Sequence, residues 1–260
     1  MTPLTKVGKC YFKREDLNLT GSIKDRCLPF QITKLKHQGF TSAVISSTGN
    51  AAISAQHFCD LNQIKLTIFV SPHSDLDKIR YLKNPLISPQ PISDATKFAH
   101  QYHAYNLRQS TDPICLQAYG QISQELTRQL PQITSIFIPV GSGTTLLGIQ
   151  KYLPLKIKIF AVQSAYNPTI TKYFSPPFNL ETVNLTSALT VKSLPLKSAI
   201  LLAIKDRGTG FTVQNQAILE AQKQLPLPVS NETFVCYSAY LHHQDIAGNF
   251  PVILATGTRR

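Results

Sequence analysis

Three short stretches carry side chains able to act on a small molecule. The first is residues 11–26, where the apolar and charged run Tyr11, Phe12, Lys13, Arg14, Glu15, Asp16 gives way to Thr20, Gly21, Ser22 and then Lys24. A lysine stripped of water beside apolar or cationic neighbours holds a neutral amine at ordinary pH, and a neutral amine attacks an aldehyde. The adjacent Asp25 allows a plainer reading, a solvated surface pair. The second stretch is Ser46-Ser-Thr-Gly-Asn50. Hydroxyls, a glycine turn and an amide at a helix start suit a carboxylate, but the same residue types are ordinary N-caps, and the local sequence favours capping. In the third, Pro139-Val-Gly-Ser-Gly-Thr-Thr-Leu146, the glycines let the backbone turn and aim its amides from a helix N-terminus, where the dipole favours phosphate. Ser142, Thr144 and Thr145 add hydroxyl donors. No Lys-Ser or Lys-Thr follows the glycines and the spacing is not G-x-G-x-x-G, so this is also an ordinary α/β connection.

Positioning these groups requires strands that feed helices. Apolar, β-branched runs at residues 43–46, 65–70, 135–140, 156–162 and 251–255 predict strands. Apolar spacings near three and four predict helices over 50–61, 116–130, 144–152 and 213–225. Alternation of the two predicts an α/β fold with parallel pairing. Prolines at 85, 89 and 91 mark residues 84–93 as a loop or compact insertion, and Ser175-Pro-Pro-Phe178 as a surface loop.

At 260 residues and 43% hydrophobic content the chain can bury a real core as one large domain or two small ones sharing a cleft. No apolar run approaches the roughly 20 residues that span a bilayer, and residues 1–9 lack a secretory apolar stretch. A cytoplasmic location without membrane partner is expected. Cys10, Cys27, Cys59, Cys115 and Cys236 show no C-x-x-C spacing, so free thiols are expected, with neither zinc nor another metal site. The net charge of +12 is spread out. Its densest group, Lys151, Lys156 and Lys158, reads as a solvated face, so nucleic acid ranks below an anionic substrate or cofactor as partner.

In this order the three segments resemble the fold type II pyridoxal-phosphate enzymes, above all threonine synthase and the threonine and serine dehydratases, over nearly the whole chain. Residues 13–26 are similar to the family's Lys-Arg-Glu-Asp-Leu-Asn-Pro-Thr-Gly-Ser-Phe-Lys-Asp-Arg segment, with Leu19 for the proline and Ile23 for the phenylalanine. The resemblance implies pyridoxal 5'-phosphate held as a Schiff base on Lys24. It further implies that Asn50 hydrogen-bonds the cofactor's phenolic oxygen and that Ser47, Thr48 and Gly49 hold the substrate carboxylate. Gly141, Ser142, Gly143, Thr144 and Thr145 would cradle the phosphate, and Thr256, in Ala255-Thr-Gly-Thr258, would meet the pyridine nitrogen. The implied fold has two parallel-sheet α/β domains with the cofactor in the cleft between them. Residues 1–28 and 116–260 would form the larger domain, and 29–115 a smaller inserted one.

The implied chemistry is elimination or replacement on a hydroxy or phospho amino acid, because a neutral hydroxyl at the pyridine nitrogen limits the electron sink. A synthase-like reading stands slightly above a dehydratase-like one on the strength of residues 13–26, with Asn18, Ser22 and Arg26 as groups for a released phosphate. Departures from the pattern are specific. Cys115 stands where synthases place an arginine, Ala118-Tyr-Gly120 replaces Gly-Gln-Lys or Gly-Gln-Gly, and Glu232 loosely matches an acidic Glu-Pro-Ala-Ser segment. Asp112-Pro113 follows the dehydratase pattern. The start lies close to Lys24 and a terminal flap is expected to be missing after Arg260, so a partner chain, as in a homodimer, is an open option for completing the site. A divergent member that binds the cofactor without catalysis is the alternative.

Overall fold

The computed structural model describes residues 1–47, 49–72, 74, 79–186, 188–191 and 194–258. In chain order these form β1 (Leu4–Val7), β2 (Cys10–Arg14), 3-10 turns at Glu15–Leu17 and Ile23–Arg26, α1 (Leu28–His37), β3 (Ser42–Ser46), α2 (Asn50–Leu61), β4 (Lys65–Val70), β5 (Leu86–Ile87), α3 (Pro91–Gln101) and β6 (Tyr105–Asn106). A further 3-10 turn, Gln109–Thr111, leads into α4 (Ile114–Gln129), β7 (Ser135–Pro139), α5 (Thr144–Tyr152), β8 (Lys158–Ser164), α6 (Lys197–Arg207), β9 (Gly208–Val213), α7 (Asn215–Gln224), α8 (Asn231–His242), α9 (Gln244–Ala247) and β10 (Pro251–Ala255).

Two sheets result, ordered β1-β2-β10-β7-β8-β9 and β5-β4-β3-β6, and only the β1–β2 pair is antiparallel. Strands covered on both faces read as unbroken apolar runs, which is why β7 and β10 are buried at every position. Alternation along them sorts side chains into two layers. Ile136, Ile138, Ile159, Ala161, Val252 and Leu254 face the core built with α4, α5 and α6, whereas Phe137, Phe160, Val162, Ile253 and Ala255 face the one built with α7 and α8. In the smaller sheet Ala43, Ile45, Ile68 and Val70 pack against α1 and α2, while Val44 turns to Ala95 of α3. Among the described residues no helix is long and apolar enough to cross a membrane.

Three sequence expectations are corrected. Residues 84–93 are not one loop: they contain the edge strand β5, and Pro91, whose missing N–H costs nothing at a first helical position, opens α3. Val213, expected in a helix, ends β9, and the helix starts at Asn215. Cys27 and Cys115 are not free thiols. They are joined as a disulfide between the starts of α1 and α4, with Cα atoms 5.2 Å apart, while Cys10, Cys59 and Cys236 are free and buried.

The charged run after Phe12 is buried and paired. The Arg14 guanidinium grips Asp16 through Nε and Nη2 at 2.9 and 2.7 Å. Lys13, whose side chain is 0% exposed, reaches Glu125 of α4 at 2.5 Å. Arg26 donates to Glu125 at 2.6 Å and to Glu15 at 2.8 Å. This four-membered chain of charges fastens β2 and the Ile23–Arg26 turn to α4.

Candidate active site

Lys24 sits in the Ile23–Arg26 turn, which is pinned from three sides. The buried Ser22 caps it, its Oγ accepting from the Lys24 N–H at 3.3 Å. The end of β10 zips onto the preceding residues: Ile23 N–H donates to the Thr256 carbonyl at 2.9 Å, and Thr258 N–H to the Gly21 carbonyl at 3.0 Å. The Asp25 carboxylate accepts from the Thr20 N–H and hydroxyl and from Ser54 of α2, all at 2.5–2.6 Å. Asp25 is therefore an anchor to α2, and the surface pair with Lys24 is not formed.

The Lys24 amine points instead at neutral oxygens. Nζ donates to Gln109 Oε1 at 2.9 Å and, more weakly, to Tyr119 Oη at 3.5 Å, and Tyr119 Oη donates to the same Gln109 oxygen at 2.9 Å. Burial lowers the Lys24 amine to about 8. About a tenth of it is then unprotonated at pH 7, far more than for a solvated lysine.

Tyr119 carries the arrangement on to the glycine turn after β7. Close approach of α4 and α5 is set by glycines: a Cβ on Gly148 would lie 2.7 Å from Tyr119 Cβ and 2.8 Å from the Leu116 carbonyl. Burial pushes the Tyr119 phenol up, and a hydrogen bond with Thr145 offsets this only in part. Gly143 caps α5 in the left-handed region, at φ +82°, which a side chain would strain. The N-cap Gly143 has no side chain, and among the described residues none caps this helix, which leaves its first N–H groups to meet an anion. A Cβ on Gly141 would lie 2.7 Å from the Ala188 carbonyl, and the Ala188 N–H in turn donates to Glu232. The Ser142 and Thr144 hydroxyls lie 3.1 Å apart.

A model of the pyridoxal-phosphate dependent enzymes matches residues 1–227. The chain belongs to this family. L-threonine ammonia-lyase of Thermotoga maritima is 27% identical over 177 residues, 63% of this chain and 44% of that protein. A threonine dehydratase of Nicotiana attenuata is 26% identical over 274 residues, 95% of this chain and 45% of that protein. The chain thus spans less than half the length of these relatives. The structure of maize serine racemase superposes with a TM-score of 0.86 at 19% identity, covering 100% of this chain and 88% of that one, which shows a shared fold, fold type II.

The donor set fits the family's cofactor, pyridoxal 5'-phosphate. A desolvated amine suits its aldehyde, and an uncapped helix N-terminus behind a Gly-Ser-Gly turn suits its phosphate. Asn50 and Thr256, also singled out from sequence, lie by the residues that precede Lys24, because the Thr256 carbonyl accepts from the Ile23 N–H and Gly257 lies beside both Asn50 and the Gly21 carbonyl. Asn50 opens α2 with its amide beside Gly257, where a Cβ would come within 2.8 Å of Nδ2. Thr256 is half-buried between Ala255 and Gly257. Gly49 has open space where a Cβ would stand, and Ser47 Oγ accepts from the Gly49 N–H at 3.4 Å. Gly49 is the N-cap of α2, and among the described residues no side-chain cap bond forms there. Thr48 lies outside the described residues.

The groups considered for a released phosphate are otherwise engaged. Arg26 is taken by Glu15 and Glu125, Asn18 Nδ2 donates to the Glu15 carbonyl and carboxylate, and Ser22 caps the Lys24 turn. Sequence reasoning missed Gln109 altogether and noticed Tyr119 only as a departure from the family pattern. Ser230 was also missed. Its N–H donates to the Gly257 carbonyl at 2.7 Å, and its hydroxyl, buried near Gly257, has no partner among the described residues.

Proposed function

We propose that this chain catalyses elimination on a hydroxy amino acid in the manner of a threonine or serine dehydratase. The carrying observation is the Lys24 amine, desolvated, unpaired with any carboxylate among the described residues and linked through Tyr119 to the glycine turn at Thr145. Support for the reaction class comes from the threonine ammonia-lyase and threonine dehydratase among the relatives and from the engagement of Arg26 and Asn18, which leaves a phospho substrate without two of the ligands considered for it.

In this reading Lys24 is the attachment nucleophile and, once released, the base that takes the proton from the substrate α-carbon. The bound cofactor supplies an aldehyde for attachment and an electron sink for the carbanion. Gly141, Ser142, Gly143, Thr144 and Thr145 hold its phosphate, Asn50 its phenolic oxygen, and Thr256 its pyridine nitrogen. Ser47, Thr48 and Gly49 would take the substrate carboxylate. We assign residues 1–28 with 116–260, and residues 29–115, to the two halves that flank the cleft.

Purified full chain with added pyridoxal phosphate is expected to be yellow, borohydride should fix the label on Lys24, and threonine or serine should yield a 2-oxo acid and ammonia. A reducible adduct retained by Lys24→Ala overturns the attachment site. Phosphate released from phosphohomoserine, with no 2-oxo acid from either hydroxy amino acid, overturns the dehydratase reading.

Gly257→Ala tests the role of Asn50. The added methyl needs no left-handed backbone, makes ordinary contact with Ser230 Oγ and the Gly21 carbonyl, and comes too close to the end of the Asn50 side chain, which must swing away. Stability should change by less than about 1 kcal/mol, whereas cofactor Kd should weaken by roughly tenfold, the value of one hydrogen bond. Equilibrium titration of cofactor absorbance measures the second and urea unfolding the first.

A further inference from the structure

We propose that Gln109 and Tyr119 form a berth for the free Lys24 amine and set the pH at which that amine becomes reactive. The proposal rests on Lys24 as the attachment lysine. Its geometry is that of two acceptors converging on one donor. Gln109 Oε1 receives both the Lys24 Nζ proton and the Tyr119 phenolic proton, each at 2.9 Å. Having given its only proton to Gln109, Tyr119 can turn nothing but a lone pair towards Lys24, 3.5 Å away. Burial keeps the phenol protonated, so it does not become a charge partner. The amide of Gln109 is buried too, and its Nε2 has no partner among the described residues, so the side chain is held through its oxygen.

The other charged groups nearby are already committed. Glu15 is held by Arg26 and Asn18, Asp25 by Thr20 and Ser54, and Asp112 by Lys34, Gln31 and Tyr105. The exception is His57 of α2, three residues after Ser54, whose Nε2 is buried without a partner among the described residues; from α8 Glu232 is bonded to the Ala188 N–H. Cys27 and Cys115 are bonded to each other. Two neutral acceptors therefore oppose desolvation, each favouring the ammonium by hydrogen bonding. Their loss should free the amine at lower pH, and a charge placed there should hold its proton to higher pH. Tyr119 and Gln109 act through Lys24 and are positioning residues.

The test is site-resolved reductive methylation of Lys24 with formaldehyde and cyanoborohydride, on the full chain freed of cofactor and followed by peptide mass spectrometry as pH is raised. The rate tracks the neutral amine, and the wild-type midpoint is expected at about 8. Gln109→Glu should raise the midpoint by about 1–3 units. Gln109→Leu should lower it by about one unit, and Tyr119→Phe by less, the weaker contact being the longer one. Opposite shifts from two changes at one position are not produced by general loosening. Should Gln109→Leu fail to fold, the near-isosteric Gln109→Glu and Tyr119→Phe keep the test decisive. Midpoints that stay at the wild-type value, or that move in the same direction for Gln109→Glu and Tyr119→Phe, overturn the proposal. Cofactor uptake read separately by absorbance distinguishes the two assignments: shifted midpoints without uptake remove the attachment role and leave the berth, and uptake with unshifted midpoints does the reverse.

Discussion

Replacing Glu125 by alanine is expected to destabilise the fold by about 3–5 kcal/mol, the usual effect of removing one member of a buried ion cluster. Among the described residues Glu125 is the only carboxylate in hydrogen-bond contact with Lys13, at 2.5 Å, and one of two that hold Arg26. Without it Lys13 keeps only the Thr2 carbonyl and Gln129 Oε1 as acceptors, while its side chain stays out of water. Burial alone would raise the Glu125 carboxyl, but hydrogen bonds from Arg26 and Lys13 prevail and hold it at about 2. Because this folded-state value lies below the ordinary 4.5, its stabilisation is complete above that pH and is lost as pH falls towards about 2. Urea unfolding at neutral pH should show the loss, and the acid-dependent part of the wild-type profile in that window should be missing from the variant. A loss under about 1 kcal/mol would remove the cluster from the list of what holds the Lys24 turn in place.

Lys24→Met should do two opposed things. Turnover should fall by about 10²–10⁴ for the proton-transfer role alone, and further if attachment is lost with it. Yet the cofactor-free chain should become more stable at pH 7, by about 1–2 kcal/mol, because methionine fills similar space without a charge to desolvate. The native amine titrates at about 8 against 10.5 when solvated, so the folded state binds fewer protons than the unfolded one between these values. The cost of the ammonium is full below about 8 and fades as pH rises towards 10.5, and the advantage of the variant should fade over that interval. Equal thermal midpoints at pH 7 would mean that Lys24 is solvated, contrary to its placement.

The elements legible in the sequence were those with a single explanation. The helices 50–61 and 144–152 matched α2 and α5 because a glycine turn marks each start and apolar periodicity carries each body. Strands β1 and β2 were not foreseen, since Lys13 and Arg14 look like surface charges until Glu125 and Asp16 are brought to them. Nor was β9, whose Gly208-Thr-Gly210 reads as a turn; a Cβ on Gly208 would stand 2.0 Å from the Ile159 carbonyl, so close pairing with β8 demands glycine there. In the proposed site, Lys24, Asn50, Gly141–Thr145 and Thr256 could be singled out from sequence because each sits at a strand end or helix start with recognisable chemistry. Gln109 and Tyr119 meet Lys24 across 85 and 95 residues of chain, and no local pattern encodes such a meeting. Asp25 and Arg26 were misjudged for the converse reason. Their sequence neighbours suggested partners, and the fold supplied others.

The position of β10 has a consequence for biosynthesis. This strand, near the end of the sequence, lies between β2 and β7 in the middle of its sheet, and its last residues close over the Lys24 turn. A ribosome therefore releases β2 long before the strand that must lie beside it, and the nascent chain holds an open slot bordered by two unpaired edges. Docking of β10 joins the most distant contacts of the sheet in one late event, which makes folding slow and leaves the waiting edges open to wrong partners. The lysine is consequently withdrawn from water only once that docking is made, and a chain stalled before residue 251 would carry the reactive residue without the site that controls it.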